Sequence, residues 1–182
     1  MRYVPSNLTR KDKKTQIAML LKSKQLYKKH KYYTRKQVVS YTNTNTNTNT
    51  NANANKNKNK NKKSNHIMNA RRIYNIQTMT PNKELERKTG CSLSALNQIV
   101  KKGEGAYYSS GSRPNQTPQS WGLARLASAL TAGKAAAVDY DIIDKGCKHN
   151  KKAFMLANKS RKKYNHGRRG SPHYTFNIHR KQ

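Results

Sequence analysis

The stretch TPNKELERKTGCSLSALNQIVKKGEGAYYSSGSRPNQTPQSWGLARLASALTAGKAAAVDYDIIDKGC, residues 80–147, decides how the whole chain reads. It holds six of the seven acidic residues, both cysteines, the only tryptophan and seven of the nine glycines. Its nine Lys/Arg face those six acids for a net +3, whereas residues 1–79 carry +18 and residues 148–182 carry +11. A near-neutral centre between two cationic flanks reads as one folding domain with arms.

Within that stretch, Thr80-Pro81 predicts a helix start, with Glu84 and Glu86 in the first turn and Gly90 as a left-handed stop. Ser92 predicts the cap of a second helix whose Leu93, Leu96, Ile99 and Val100 share one face and which Lys101-Lys102-Gly103 ends. Helix, tight turn, helix is the layout of a helix-turn-helix, which would place Ser94, Asn97, Gln98 and Lys101 outward for base edges and phosphates. Glu86 sits where a small residue would suit a close crossing, and a plain helical hairpin is the simpler reading.

From Gly103 to Ser120 we expect a loop, GEGAYYSSGSRPNQTPQS. Its two glycines do not make a phosphate loop, since no GK[ST] follows. Either Tyr107, Tyr108 and Arg113 meet a partner there, or the tyrosines cover the domain's own core. Thr117-Pro118 starts the most apolar helix, with Trp121, Leu123, Leu126 and Leu130 inside and Arg125 projecting. A fourth helix, AAAVDYDIID, is expected to pack through Val138, Ile142 and Ile143. Four short helices make a small mainly α domain of about 65 residues, near the lower limit of independent stability.

Catalysis is not expected. Asp139, Asp141 and Asp144 point different ways on one helix, and the six histidines lie in the arms, so neither a metal site nor a nucleophilic triad assembles and no cofactor is implied. Cys91 and Cys147, 56 residues apart, make no disulfide framework and are expected to be small buried apolar residues rather than ligands or nucleophiles.

The flanks divide into a basic arm at 1–41, an Asn/Thr/Lys low-complexity tract at 42–65, an extended connector at 66–79, and a basic helix with a C-terminal arm at 148–182. Residues 6–31 predict an amphipathic helix with Ile17, Leu20, Leu21 and Tyr27 on its stripe, which we expect to sit on an external partner rather than on this chain. Lys11, Lys13 and Lys14 on that helix, and Arg168 and Arg169 in the tail, are candidate phosphate contacts. After it, Tyr32, Tyr33 and Arg35 interleave rings and cations, a pattern that suits stacking on bases and equally an ordinary extended segment. The tract TNTNTNTNTNANANKNKNKNKK has nothing to bury and reads as a flexible tether. The final YTFNI could add a strand to another protein's sheet.

A net charge of +32 with a mean hydropathy of −1.13 demands a polyanion: nucleic acid first, then an acidic protein lattice, then an anionic membrane surface. No apolar run reaches a membrane span, and the start MRYVPSNLTRKDKK lacks a signal peptide's apolar core, so a cytosolic setting is expected.

YVPSNLTRKDKK and KYYTRK, followed by TGCSLSALNQIVKKGEGAYYSSGSRPNQTPQSWGLARLASALTAGKAAAVDY, resemble a family of basic proteins of large double-stranded DNA viruses of algae and amoebae. The phrase AYYSSGSRPNQTPQSW is its most specific part. The resemblance implies a virion protein assembled in the host cytoplasm, of minor capsid or cement type, whose arms tie neighbouring capsid proteins or face the genome. Partner contacts would then fall to Tyr107, Tyr108, Arg113, Trp121, Arg125, Tyr32, Tyr33 and Arg35. The alternative is a DNA-binding protein of the virion core, using Lys11, Lys13, Lys14, Asn97, Gln98, Lys101, Arg168 and Arg169. A sequence-specific regulator using the helix-turn-helix is a third class.

Overall fold

The computed structural model describes residues 3–41 and 65–167. The low-complexity tract, the YTFNI segment and the candidates Arg168 and Arg169 lie outside the described residues.

The described chain is mainly α, with eight α-helices: α1 (Arg10–Tyr27), α2 (Asn65–Tyr74), α3 (Lys83–Thr89), α4 (Leu93–Ser109), α5 (Pro118–Leu130), α6 (Lys134–Val138), α7 (Tyr140–Gly146) and α8 (Lys152–Lys163). Leu85, Leu96, Ile99, Leu126, Leu130 and Ile143 form the centre of the main core. That core also takes Ala70, Tyr74, Ile76 and Met79 from before residue 80 and Ala153, Phe154 and Ala157 from after residue 147. The predicted centre therefore buries its apolar faces against both flanks. In α8 Phe154 is buried, while its neighbour Met155 is 56% exposed.

The segment expected to be an extended connector is helical over most of its length. Ile67, Ala70 and Tyr74 recur at helical spacing and turn toward the core, and burial of that face outweighs the strand preference of isoleucine and tyrosine. The Tyr74 hydroxyl donates to the Leu130 carbonyl at 2.7 Å.

Local signals placed the caps well, with one displacement. Asn82 rather than Thr80 caps α3, its side chain accepting from the Leu85 amide at 2.7 Å. Gly90 takes the left-handed conformation, φ 75°; Ser92 caps α4, and Thr117 with Ser120 forms a reciprocal capping box on α5.

The largest departure is α4 itself, which runs through Gly103 and Gly105 to Ser109 instead of stopping. Here glycine permits a close crossing. A Cβ on Gly103 would lie 2.6 Å from the Cα of Gly122 in α5, so the two backbones meet where neither has a side chain. The glycines' cost to helix propensity, about 1 kcal/mol each, is offset by the packing that this approach allows.

The expected fourth helix is two, α6 and α7, broken at Asp139. Asp139 is buried and bonds Arg125 through both carboxylate oxygens, each at 2.7 Å, with the Lys102 ammonium at 2.8 Å. The break leaves Val138, expected in the core, 44% exposed, while Ile143 is fully buried.

Cys91 and Cys147 are joined in a disulfide, contrary to the sequence expectation. Both cysteines are buried as expected, but the backbone brings them face to face. The Ser92 amide donates to the Gly146 carbonyl at 2.8 Å and the Lys148 amide to the Gly90 carbonyl at 2.9 Å, an isolated antiparallel bridge around the pair. Sequence separation carried no information about this approach.

The helix expected on an external partner packs instead on its own domain, against α4. Its inward residues are Gln16, Met19, Leu20 and Ser23, whereas Leu21 is 49% exposed. Of the expected stripe Leu20 is buried and Ile17 and Tyr27 are half-buried, and the polar Gln16 and Ser23 share the buried face with them. Gln16 donates to the carbonyls of Tyr3 and Ser112, and Ser23 to that of Tyr108. A second core of Leu8, Met19 and Val38, flanked by Val4, Tyr33 and Tyr41, closes the arm onto itself.

Candidate nucleic-acid interface

α3, the turn at Gly90 and α4 follow as helix, turn and helix, an order that a plain helical hairpin shares with a helix-turn-helix, and the turn is tied down by several bonds. Glu86 does not obstruct the crossing, because its carboxylate turns to accept the Leu93 amide at 3.2 Å. Thr89 accepts from the Cys91 amide with its hydroxyl and donates to the Leu85 carbonyl. The disulfide then fastens the turn to the end of α7. The start of α4 is thereby held by side-chain caps, a covalent link and two backbone bonds.

On that helix Ser94, Asn97, Gln98 and Lys101 are all exposed, as the spacing predicted. Gln98 donates to the Ser94 hydroxyl at 3.2 Å, which orients its amide along the helix. Lys83, Arg87 and Lys88 of α3 are exposed as well. These groups match amide and cation donors that read base edges and grip phosphate.

The second cationic face is α1. Lys11 and Lys14 are exposed and Lys13 is half-buried. Asp12, between them, turns inward: its carboxylate accepts the Ser40 amide at 2.8 Å, and its hydrogen bonds to Ser40 hold it below the usual carboxylate range. Among the described residues, Lys102 and Arg125 are the lysine and arginine in ion pairs with a carboxylate, both on Asp139. Asp12, Glu86 and Asp139 thus bond within the fold, while Lys11, Lys14 and Lys101 are exposed.

Most residues expected to meet a protein partner are instead used within the fold. Tyr107 is buried at 2% exposure; the Arg35 guanidinium lies 3.7 Å above its ring and donates to its carbonyl and to the Ser112 hydroxyl. Burial pushes Arg35 below its ordinary pKa, opposed by Tyr107, and guanidinium stays charged. Arg125 is engaged by Asp139, and Trp121 packs edge-on against Tyr3 with ring centres 5.5 Å apart. Tyr33 lies under the Lys22 ammonium. Arg113 remains exposed. Of the two readings of the tyrosines, covering the chain's own structure is therefore the one realised at Tyr107.

Tyr108 is half-buried, with burial raising its pKa, and joins Tyr27 and Tyr32 in a cluster of rings. Asn115, which the sequence did not single out, clasps the arm by accepting from the Val38 amide at 2.8 Å and donating to the Val38 carbonyl at 3.2 Å. Its partner lies 77 residues away, beyond the reach of any local pattern.

Among the described residues no helix is long and apolar enough to cross a membrane. A model described as a family of unknown function, DUF5824, matches residues 2–148. The match takes in the docked arm, the α3–α4 unit and the segment through Cys147. No curated protein and no solved structure matches the chain.

Proposed function

We propose, from the premise that the chain belongs to the DUF5824 family of unknown function, that it is a non-enzymatic DNA-binding protein of a virion core. The observation that carries this reading is the sorting of charge. Among the described residues Lys11, Lys14 and Lys101 are exposed and in no ion pair, while Asp12, Glu86 and Asp139 are turned to internal bonds. An uncompensated cationic surface favours a polyanion. The choice of DNA over an acidic protein rests on accessibility: Lys11, Lys14, Asn97, Gln98 and Lys101 are exposed, whereas Tyr107, Arg125 and Arg35 are held by intramolecular contacts. The virion setting comes from the sequence resemblance.

Duplex affinity measured across a salt series tests the reading. Log affinity should fall by about 0.9 per log unit of salt for each phosphate neutralised. Lys11→Ala with Lys14→Ala should make the slope shallower. Asn97→Ala with Gln98→Ala should leave the slope in place and flatten any preference among duplex sequences. A salt-independent affinity overturns the proposal.

The shell-tying role implied by the same resemblance is the second reading, and the exposed Arg113 in the turn between α4 and α5 favours it. It requires the protein to stay with the shell when disrupted particles are treated with nuclease. Release with the DNA supports the core reading instead.

A further inference from the structure

We propose that Tyr32 is a stacking platform for an unpaired nucleobase, so that this face of the protein holds single-stranded nucleic acid. The inference rests on the nucleic-acid reading above and names a ligand class that reading does not require.

Tyr32 is 71% exposed, yet its ring is braced. Its edge contacts reach Tyr108, with centres 4.9 Å apart at 61°, and Tyr27, 6.2 Å apart at 62°. Those two rings run parallel, 6.2 Å apart at 6°. Tyr108 in turn stands edge-on to the buried Tyr107 at 5.0 Å, and the Arg35 guanidinium lies over the Tyr107 ring. The ring is thus fixed through a chain of contacts to the protein interior while most of its surface stays in water.

The backbone is shaped to put it there. After α1 the amides of Lys29, His30 and Lys31 bond back to the carbonyls of Leu26 and Tyr27, and His30 adopts φ 54°. This turn returns Tyr32 against Tyr27. Burial alone gives a weak reason for the arrangement, since a ring so exposed gains little from it. A fixed open aromatic face is what base stacking needs, because the ordering cost is met before the ligand arrives.

Charge identifies the ligand. Lys24, Lys28, Lys29, Lys31 and Lys36 are exposed around this turn, and they outnumber the acid that acts on the ring cluster, the half-buried Glu104 beside Tyr108. A strand whose phosphates meet these lysines can lay a base on Tyr32, whereas a duplex keeps its bases stacked on one another. The pairing of aromatic face and cation track is the recognition chemistry of single strands.

The test uses the full chain and three labelled probes: a thymidine oligomer, an abasic oligomer of equal length, and a duplex. The parent should bind the thymidine oligomer about five-fold or more tighter than the abasic one. Tyr32→Ala should close that gap, and Tyr32→Trp should keep it, with the thermal unfolding midpoint of each variant reporting that the fold is retained. Equal affinity of the parent for the two oligomers overturns the inference, as does a gap that survives in Tyr32→Ala. Salt-dependent duplex binding without that gap would leave the DNA-binding proposal standing and remove only the stacking site; failure of all three probes to bind would remove both.

Discussion

Tyr74 shows how one hydroxyl ties α2 to the body of the molecule. Its O–H donates to the carbonyl of Leu130, the last residue of α5, where an intrahelical donor is lacking. Burial pushes its pKa well above the ordinary tyrosine value. The folded state therefore keeps this proton at pH values where the unfolded chain, with an ordinary pKa of about 10, releases it. The resulting stability is complete below about pH 10 and is lost as pH rises further. Tyr74→Phe should cost about 1–2 kcal/mol at neutral pH, because the Leu130 carbonyl loses its buried donor. It should also reduce the loss of stability above pH 10. Urea unfolding at neutral and alkaline pH compares the two proteins, and an unchanged alkaline slope would remove Tyr74 from this role. Asp139 and Arg125 belong to the same scale: their pairing was invisible locally because 14 residues and a helix break separate them.

At the scale of elements, the contact between α4 and α5 is set by missing side chains. Gly103→Ala adds the best helix former, worth about 1 kcal/mol in propensity, but places its Cβ 2.6 Å from the Gly122 backbone. Overpacking of this kind costs about 1–3 kcal/mol, so a net loss is expected. Gly105→Ala is the control, for its Cβ would approach only the far end of Tyr27, at 3.2 Å from the hydroxyl. We expect Gly105→Ala to be near neutral and Gly103→Ala to lower the thermal midpoint. Equal effects of the two would mean that propensity, not the crossing, governs these sites. The capped helix starts were legible because a cap acts over three or four residues, as at Ser92 and Thr117. The continuation of α4 past its glycines was not, since Gly103 reads locally as a stop and only α5 reveals it as a contact.

For the whole molecule, two long-range ties join parts that the sequence separates. One is the docking of residues 3–41 by Gln16, Ser23, Arg35 and Asn115. The other is the disulfide, which fastens the turn before α4 to the end of α7. Replacing both cysteines with alanine should cost about 2–4 kcal/mol, chiefly by freeing the unfolded chain. Strong reductant should bring the parent's unfolding midpoint toward that of the double variant. Thiol titration of the unfolded, unreduced parent provides the independent check: two reactive thiols would show the bond to be absent. The candidate interface depends on this tie, because Asn97 and Gln98 are presented from the helix it anchors.

What the amino-acid sequence determined alone is the mainly α class, the caps that begin α4 and α5, the outward placement of Asn97, Gln98 and Lys101, and the concentration of positive charge on the flanks. These follow from interactions within one helical turn and from composition. The tertiary structure alone decided that Cys91 meets Cys147, that Gly103 is a crossing, that Asp139 breaks a helix to hold Arg125, and that the basic arm packs on its own domain. Each depends on a partner outside the local helical turn, and no local spacing encodes which distant group will be there.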